Sequence, residues 1–313
     1  MENINKIHIL LFYKFVPLKD LEALQKKHLR YMKELDVKGR ILLAEEGING
    51  SVSGTKKQIE EYKNWLKKDN KFNDVNFKEE IGLEHPFRRT QVVIRDEIVA
   101  IGKKINMNKK ADYISPKELK ELYDKKEEFV ILDARNYYEY KVGKFKNAIH
   151  LDIKTFREFP EALGKIENLK DKKIITYCTG GIRCEKASAV MKEAGFKKVY
   201  QLKDGILTFG KEYPNSYWEG KCFVFDKRLI SDMNNSNEKT ITKCETCDEL
   251  SDLYRNCRNV HCDKLYIQCK PCQENFNGCC SKKCFEVFKI QCLNKSFKNQ
   301  GRRIEKINLI SNN

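Results

Sequence analysis

Proline is scarce, long apolar runs are missing, and cysteine is almost absent from the first three-quarters of the chain. Each absence removes a class of protein. Six prolines among 41% hydrophobic residues exclude a mainly disordered chain and leave enough apolar material for packed cores. No stretch approaches the roughly 20 apolar residues that cross a bilayer, so no membrane partner is expected. The segment IHILLFYKFVPLKD near the start is interrupted by charge and lacks the small-residue cleavage site of a secretory signal, and the expected location is cytoplasmic. Of 13 cysteines only Cys178, Cys184 and Cys222 precede residue 240. That excludes a disulfide framework for the larger part of the chain, and the clustering of the other ten points to a metal knot in a reducing compartment. No internal repeat is visible.

Positive charge, by contrast, is abundant. The formal net charge is +16, divided as +7 over residues 1–110, +3 over 111–226 and +6 over 227–313. The flanks are therefore more basic than the centre, which suits a polyanionic partner; a Lys-rich solvated surface is the competing explanation, and net charge speaks to association rather than fold. A length of 313 residues suggests two or three domains.

Periodicity places them. KIHILLFYKFV reads as a strand, and Leu18, Leu21, Leu24, Leu29 and Met32 follow at near-helical spacing behind Pro17. Two short strands in GRILLAEEGINGSVSG, an amphipathic helix in TKKQIEEYKNWLKKD and a last strand in VNFKEEIG complete a βαββαβ order, a ferredoxin-like α+β domain over 1–84. Residues 85–112 read as an extended connector with two-strand character and an Arg88-Arg89 pair. From 113 to 226 strands and helices alternate: helix SPKELKELYDKK with Ser115 as cap, strand FVILDAR, strand KKIITYC, a helix from about Cys184 to Ala194, strand KVYQL and a helix after Asp204. Such alternation predicts an α/β domain with a parallel sheet, whose ligands bind beyond the carboxyl ends of the strands, where Asp133 and Cys178 fall. Polar residues 227–243 read as a linker, 244–292 as a cysteine-rich module and 293–313 as a basic tail.

Cys178 ends a β-run and is followed by Thr179, Gly180, Gly181, Ile182 and Arg183 before the pattern turns helical. Backbone N–H groups of such a loop, with the positive end of a helix behind them, stabilise a thiolate or a bound anion. Arg183 then either braces the loop or holds the anion's oxygens. Cys178 and Arg183 are the candidate catalytic pair. The alternative for Cys178 is a buried free cysteine at a strand end. Cys184 either packs or resolves a persulfide, packing being the commoner use, and Asp133 with Arg135 reads as a structural pair beside the loop. Phosphatase signatures place five residues between cysteine and arginine; here there are four, a smaller ring better matched to sulfur.

The tail holds CETC (Cys244, Cys247), Cys257, Cys262, CKPC (Cys269, Cys272), Cys279, Cys280, Cys284 and Cys292. Paired CxxC turns suit tetrahedral zinc in a closed, structural site. The preferred assignment is one or two zinc ions, with Cys244, Cys247, Cys269 and Cys272 in one group and Cys257, Cys262, Cys280 and Cys284 in the other; Cys279 or His261 is a possible replacement member. Disulfides and an iron–sulfur cluster are the alternatives. Metal would contribute folding free energy to a segment too small to build its own core. Residues 281–306 carry eight basic and two acidic residues interleaved with Phe285, Phe288 and Phe297, a composition for phosphate contact or for a solvated helix face.

The piece YCTGGIRCEKAS resembles the active-site loop of rhodanese domains, together with ILDARNYYEYKVGKFKNAIH (Asp133, Arg135, Glu139, Gly143, His150) and LKDGILTFG. Asp204 departs from the glycine often found in the LxGG of that tail. Over nearly the whole chain, the βαββαβ start, HPFRRTQVVIRDEIVAIG, the rhodanese segment and LYIQCKPCQENFNGCCSKKC resemble the tRNA uridine-34 hydroxylase family of rhodanese-domain proteins. The resemblance implies oxygen-dependent 5-hydroxylation of the wobble uridine, molecular oxygen as co-substrate, a persulfide-type active-site residue at Cys178, and tRNA presented by its anticodon loop. Arg88 and Arg89 are candidate RNA contacts. No flavin, haem or nicotinamide site is visible: the chain has neither a GxGxxG fingerprint nor a facial triad of two histidines and a carboxylate. The competing function is a sulfurtransferase carrying a Cys178 persulfide, and a third is a binding module using the fold as scaffold. The basic flanks favour the RNA reading, and the intact loop disfavours the scaffold.

Overall fold

The computed structural model describes residues 6–233 and 239–293; the expected basic tail, apart from its first position, lies outside them. The chain divides into two compact units, the first ending at Lys239 and the second beginning at Thr240.

The first unit opens with β1 (Ile7–Phe15), α1 (Leu21–Glu34), β2 (Lys38–Ala44), β3 (Gly47–Gly54), α2 (Lys56–Lys67) and β4 (Phe77–Gly82), the order expected. Helix α1 starts at Leu21 rather than behind Pro17, because Val16 and Leu18 still donate to Glu46 and Glu45 carbonyls in sheet fashion. Thr55 and Gln58 form a reciprocal capping box at the start of α2. The sheet runs β4-β1-β3-β2 and gains a fifth strand, β5 (Thr90–Ile94), parallel to β2. The stretch expected as a connector therefore begins inside this sheet. Strand alternation splits β1 between two faces: Leu10 and Phe12 meet Met32, Ile59, Tyr62 and Leu66 under the two helices, while Leu11 packs into a core of the central domain.

That central domain contains β6 (Asp112–Ile114), α3 (Pro116–Asp124), β7 (Val130–Asp133), α4 (Tyr137–Val142), β8 (Gly143–Phe145), β9 (Ile149–His150), α5 (Phe159–Ala162), β10 (Lys173–Tyr177), α6 (Ile182–Glu193), β11 (Lys198–Leu202) and α7 (Gly205–Glu212). Its five-stranded sheet, β6-β11-β10-β7-β9, is parallel throughout. Neighbouring residues take opposite sides. Leu132 and Ile174 face Phe159, Ala187, Val190 and Met191 of α5 and α6, whereas Ile131 and Ile175 face Leu119, Leu122, Ile206 and Phe209 of α3 and α7. Both faces are covered, as the near-continuous apolar strands require. Beyond α7, β12 (Trp218–Gly220) pairs with β8, and β13 (Cys222–Phe223) pairs with β14 (Ile230–Ser231). The segment that reads as the start of a linker thus includes one strand of a hairpin.

The second unit is built around the hairpin β15 (Tyr254–Asn256) and β16 (Leu265–Ile267), followed by α8 (Lys270–Asn275) and α9 (Lys282–Leu293). One apolar cluster of this unit gathers the buried Cys257, Tyr266, Cys279 and Phe288, and Cys244 and Ile267 are buried as well. No helix among the described residues is long and apolar enough to cross a membrane.

Candidate active site and cysteine clusters

Strand β10 ends at Tyr177, and the next four residues turn the chain through Cys178, Thr179, Gly180 and Gly181 into α6. The turn closes on the sulfur: the Gly181 N–H donates to Cys178 Sγ at 3.2 Å. Gly181 takes φ +95°, a left-handed conformation open to glycine at little cost. The start of α7 docks against the same loop, Ile206 and Leu207 donating to the Cys178 and Thr179 carbonyls at 3.0 and 3.2 Å. A Cβ on Gly205 would lie 2.4 Å from the Cys178 carbonyl oxygen, so that approach needs glycine. Asp204, the departure from LxGG, adopts the left-handed region itself at φ 61°, which aspartate tolerates, and its carboxylate receives the Lys78 ammonium at 3.0 Å. The helix start is preserved and gains an ion pair to β4.

Burial pushes the Cys178 thiol up, but the Cys184 side chain, the Arg183 charge and the backbone N–H groups of Arg183 and Cys184 outweigh it and bring the pKa down to about 6. The thiol is therefore set to be a thiolate at neutral pH. Cys184 moves the opposite way, its thiol held up by burial and by the neighbouring Cys178. Cys222, buried without such donors, is pushed up to about 12.

Arg183 braces. Its two terminal nitrogens donate to the Glu139 carboxylate at 2.5 and 2.7 Å, and one reaches Thr179 Oγ1 at 3.5 Å; Glu139 is fully buried. Of the two roles open to Arg183, loop support is the one its hydrogen bonds occupy. Asp133 and Arg135 form the structural pair expected of them: the guanidinium chelates the carboxylate at 2.6 and 2.9 Å and donates to the Gly143 carbonyl at 2.6 Å. His150 donates from Nε2 to the Arg135 carbonyl at 2.7 Å, its Nδ1 accepting from the Asp152 N–H.

Three sets of contacts at this loop escape a reading of the sequence because one partner in each comes from the first sheet or from elsewhere in the chain. Tyr13, on the same face of β1 as Leu11, sets its hydroxyl where a Cβ on Gly181 would approach to 3.0 Å and donates to Glu185 at 3.2 Å. Glu185 also receives Tyr113 at 2.5 Å and Lys110 at 3.1 Å. Lys186, on α6, is 2% exposed and bonds to Glu46, Glu97 and the Val99 carbonyl. The helix-free face of the N-terminal sheet thus forms one wall beside the Cys178 loop, and burial drives the Tyr13 hydroxyl pKa far upward, so it stays protonated. Strand period alone signalled that Tyr13 shares a face with Leu11; nothing local signalled its partner.

In the second unit, Cys244, Cys247, Cys269 and Cys272 gather in one group and Cys257, Cys262, Cys280 and Cys284 in another, the sulfurs of each within 4.8 Å of one another. Cys279 and His261 belong to neither group. Sulfur separations of 3.6 Å for Cys247–Cys269, 3.7 Å for Cys262–Cys280 and 3.6 Å for Cys280–Cys284 suit thiolates at the corners of a tetrahedron, which for Zn–S near 2.3 Å are about 3.8 Å apart. Backbone N–H groups of Thr246 and Cys280 donate to Cys244 and Cys257 sulfurs, both at 3.4 Å, as ligand sulfurs in tight turns require. Both groups can hold metal, and zinc is compatible with them. Phe288, grouped above with a phosphate-contacting stretch, is instead core, 2% exposed beneath the Arg258 guanidinium. Arg88 and Arg89 are exposed just before β5, and Phe297 lies outside the described residues.

Family models cover most of the chain, one of them across the boundary between the two units. Residues 7–98 match the UPF0176 acylphosphatase like domain, 115–212 the Rhodanese-like domain and 219–285 the family described as Rhodanase C-terminal. A protein of Cytophaga hutchinsonii named tRNA uridine(34) hydroxylase is 41% identical over 278 residues, covering 88% of this chain and 89% of its own. Proteins of the same name from Chlamydia felis (39% identical, 95% of this chain and 92% of its own) and Bacillus licheniformis (40%, 90% and 88%) align over similar spans.

Proposed function

This chain belongs to the tRNA uridine(34) hydroxylase family, and from that membership, with the Cys178 loop, we infer that it is a cytoplasmic enzyme that hydroxylates uridine 34 of tRNA. The observation that carries the reading is the loop itself: a single sulfur with a pKa brought to about 6, held by the Gly181 N–H and braced through Arg183 and Glu139. Such a thiolate, or the persulfide formed on it, is a nucleophile suited to adding at C6 of a uracil ring. Addition there makes C5 the electron-rich carbon, which takes one atom of molecular oxygen while two electrons and two protons from an external thiol pair reduce the other to water, the thiols leaving as a disulfide; loss of the C5 proton and expulsion of the sulfur from C6 restore the ring. Cys178 is the catalytic residue of this scheme, Thr179, Gly180, Gly181 and Ile182 its anion-binding loop, and Arg183 a positioning residue. Base 34 lies in a single-stranded loop, where a nucleotide is splayed into a pocket at lower cost than from a duplex. The basic flanks, including Arg88 and Arg89, supply phosphate contacts, and structural zinc in the two cysteine groups shapes the second unit.

The loop also supports the competing sulfurtransferase reading, since a persulfide on Cys178 serves either chemistry. Incubation of wild-type and Cys178→Ser protein with unmodified tRNA in air, followed by mass spectrometry of the anticodon nucleosides, separates them. A gain of one oxygen on uridine with wild type alone is expected. No gain, alongside thiosulfate-dependent sulfur transfer by the same preparation, would favour the sulfurtransferase.

A further inference from the structure

One aromatic ring beside this site is left facing solvent. Phe225, in the turn between β13 and β14, is 62% exposed, yet its ring lies 5.5 Å from the Arg183 guanidinium, the group that braces the Cys178 loop. The exposure is not that of a loose loop. Asp226 accepts from the Arg228 backbone N–H at 3.0 Å and from its guanidinium at 2.9 and 2.6 Å. The same guanidinium reaches Glu80 on β4 at 2.9 Å. Val224 and Lys227 donate to the Leu229 and Pro86 carbonyls, so the turn is tied to the N-terminal sheet as well as to its own hairpin. Phe223, buried against Tyr138, meets the Phe225 ring edge-on at 5.4 Å. A planar apolar ring is thereby fixed in place with a cation near it and most of its surface open.

We propose that Phe225 is the platform on which the pyrimidine of the substrate nucleotide stacks on its way into the Cys178 site; the proposal rests on the tRNA reading above. The chemistry matches: every base has a π face, and a splayed nucleotide loses the stacking of its neighbours and needs a substitute. An exposed phenylalanine in this position also explains why the turn is braced from two sides, since stacking pre-organised by the protein costs less at the moment of binding.

The test uses the full-length, metal-loaded protein and an anticodon stem-loop RNA carrying either uridine or an abasic residue at position 34, with affinities read by fluorescence anisotropy. Wild type should bind the uridine form about 5- to 150-fold more tightly than the abasic form, the range expected for one base on one aromatic ring. Phe225→Ala should bind both alike, at the abasic level, and Phe225→Tyr should keep the discrimination. Phe225→Leu retains the bulk without the π face and should lose most of it, which guards against a turn distorted by alanine. Undiminished discrimination in both Phe225→Ala and Phe225→Leu, or its absence in wild type, overturns the platform. Hydroxylation assayed on the same preparations is judged separately: discrimination without any oxygen gain would overturn the hydroxylase reading and leave the platform standing.

Discussion

Cys178 and the cysteines after residue 240 are the same residue in opposite settings. At the end of β10 a single sulfur is surrounded by groups that donate hydrogen or carry positive charge: the Gly181 N–H, the Cys184 side chain, the first turn of α6 and Arg183. In the second unit eight sulfurs stand in two groups, each surrounded chiefly by three others. One arrangement stabilises a lone negative charge. The other gathers four sulfurs whose negative charge, once they ionise, a cation would neutralise, an arrangement that can hold a metal ion. The contrast extends to the cores. The central sheet has apolar layers on both faces, while the second unit has a smaller apolar cluster, to whose folding a bound metal would contribute.

The largest expected effect breaks one side of that contrast. Stripping metal with a strong chelator should unfold residues 240–293, because apparent zinc-binding free energies on the order of 10–16 kcal/mol act as folding free energy in such modules. Hydrogen exchange would show β15 and β16 losing protection while β10 keeps it, and metal analysis of the untreated protein should find two zinc ions per chain. Retained protection after complete removal would show that the module folds without metal. A smaller effect tests the brace. Glu139→Gln leaves the buried Arg183 charge without its counter-charge and should cost about 3–5 kcal/mol in denaturant unfolding of the first unit, whereas an equivalent change at exposed Glu121, in lysine pairs on the surface of α3, should cost less than about 1 kcal/mol. Similar costs for the two would mean the Arg183–Glu139 pair does not hold the loop. The smallest effect sharpens the description of the thiolate: Cys184→Ala removes one hydrogen bond to Cys178 and should raise its pKa by about one unit or less, read by the thiolate absorbance near 240 nm. No rise would assign the stabilisation to the backbone and Arg183 alone.

What could be read from the sequence was local. The βαββαβ order, the strand–loop–helix at Cys178 and the alternation that gives a parallel sheet follow from short-range periodicity and glycine placement, and the group of Cys244, Cys247, Cys269 and Cys272 follows from its two CxxC pairs. What escaped was non-local. TQVVI has the composition of a strand, but its parallel pairing with β2 links residues about 50 positions apart. Glu139 stands 44 residues from Arg183, and Tyr13 172 residues from Glu185; no pattern within one element records such partners. The β13–β14 hairpin was hidden because its strands are two residues each, too short for alternation to register. Arg183 could be limited to two roles from its place in the loop; its bonds to Glu139, which favour support of the loop, could not be read from the sequence.

The most direct test of the contrast is a pH titration of thiolate absorbance in wild-type protein minus that in Cys178→Ser. Cys178 is expected to ionise with a midpoint near 6, so that the difference is absent at pH 4.5 and complete by about pH 7.5. A midpoint at or above about 8.5, the value of an ordinary cysteine, would mean that the loop does not hold a thiolate and would contradict the account of Cys178 as the reactive sulfur.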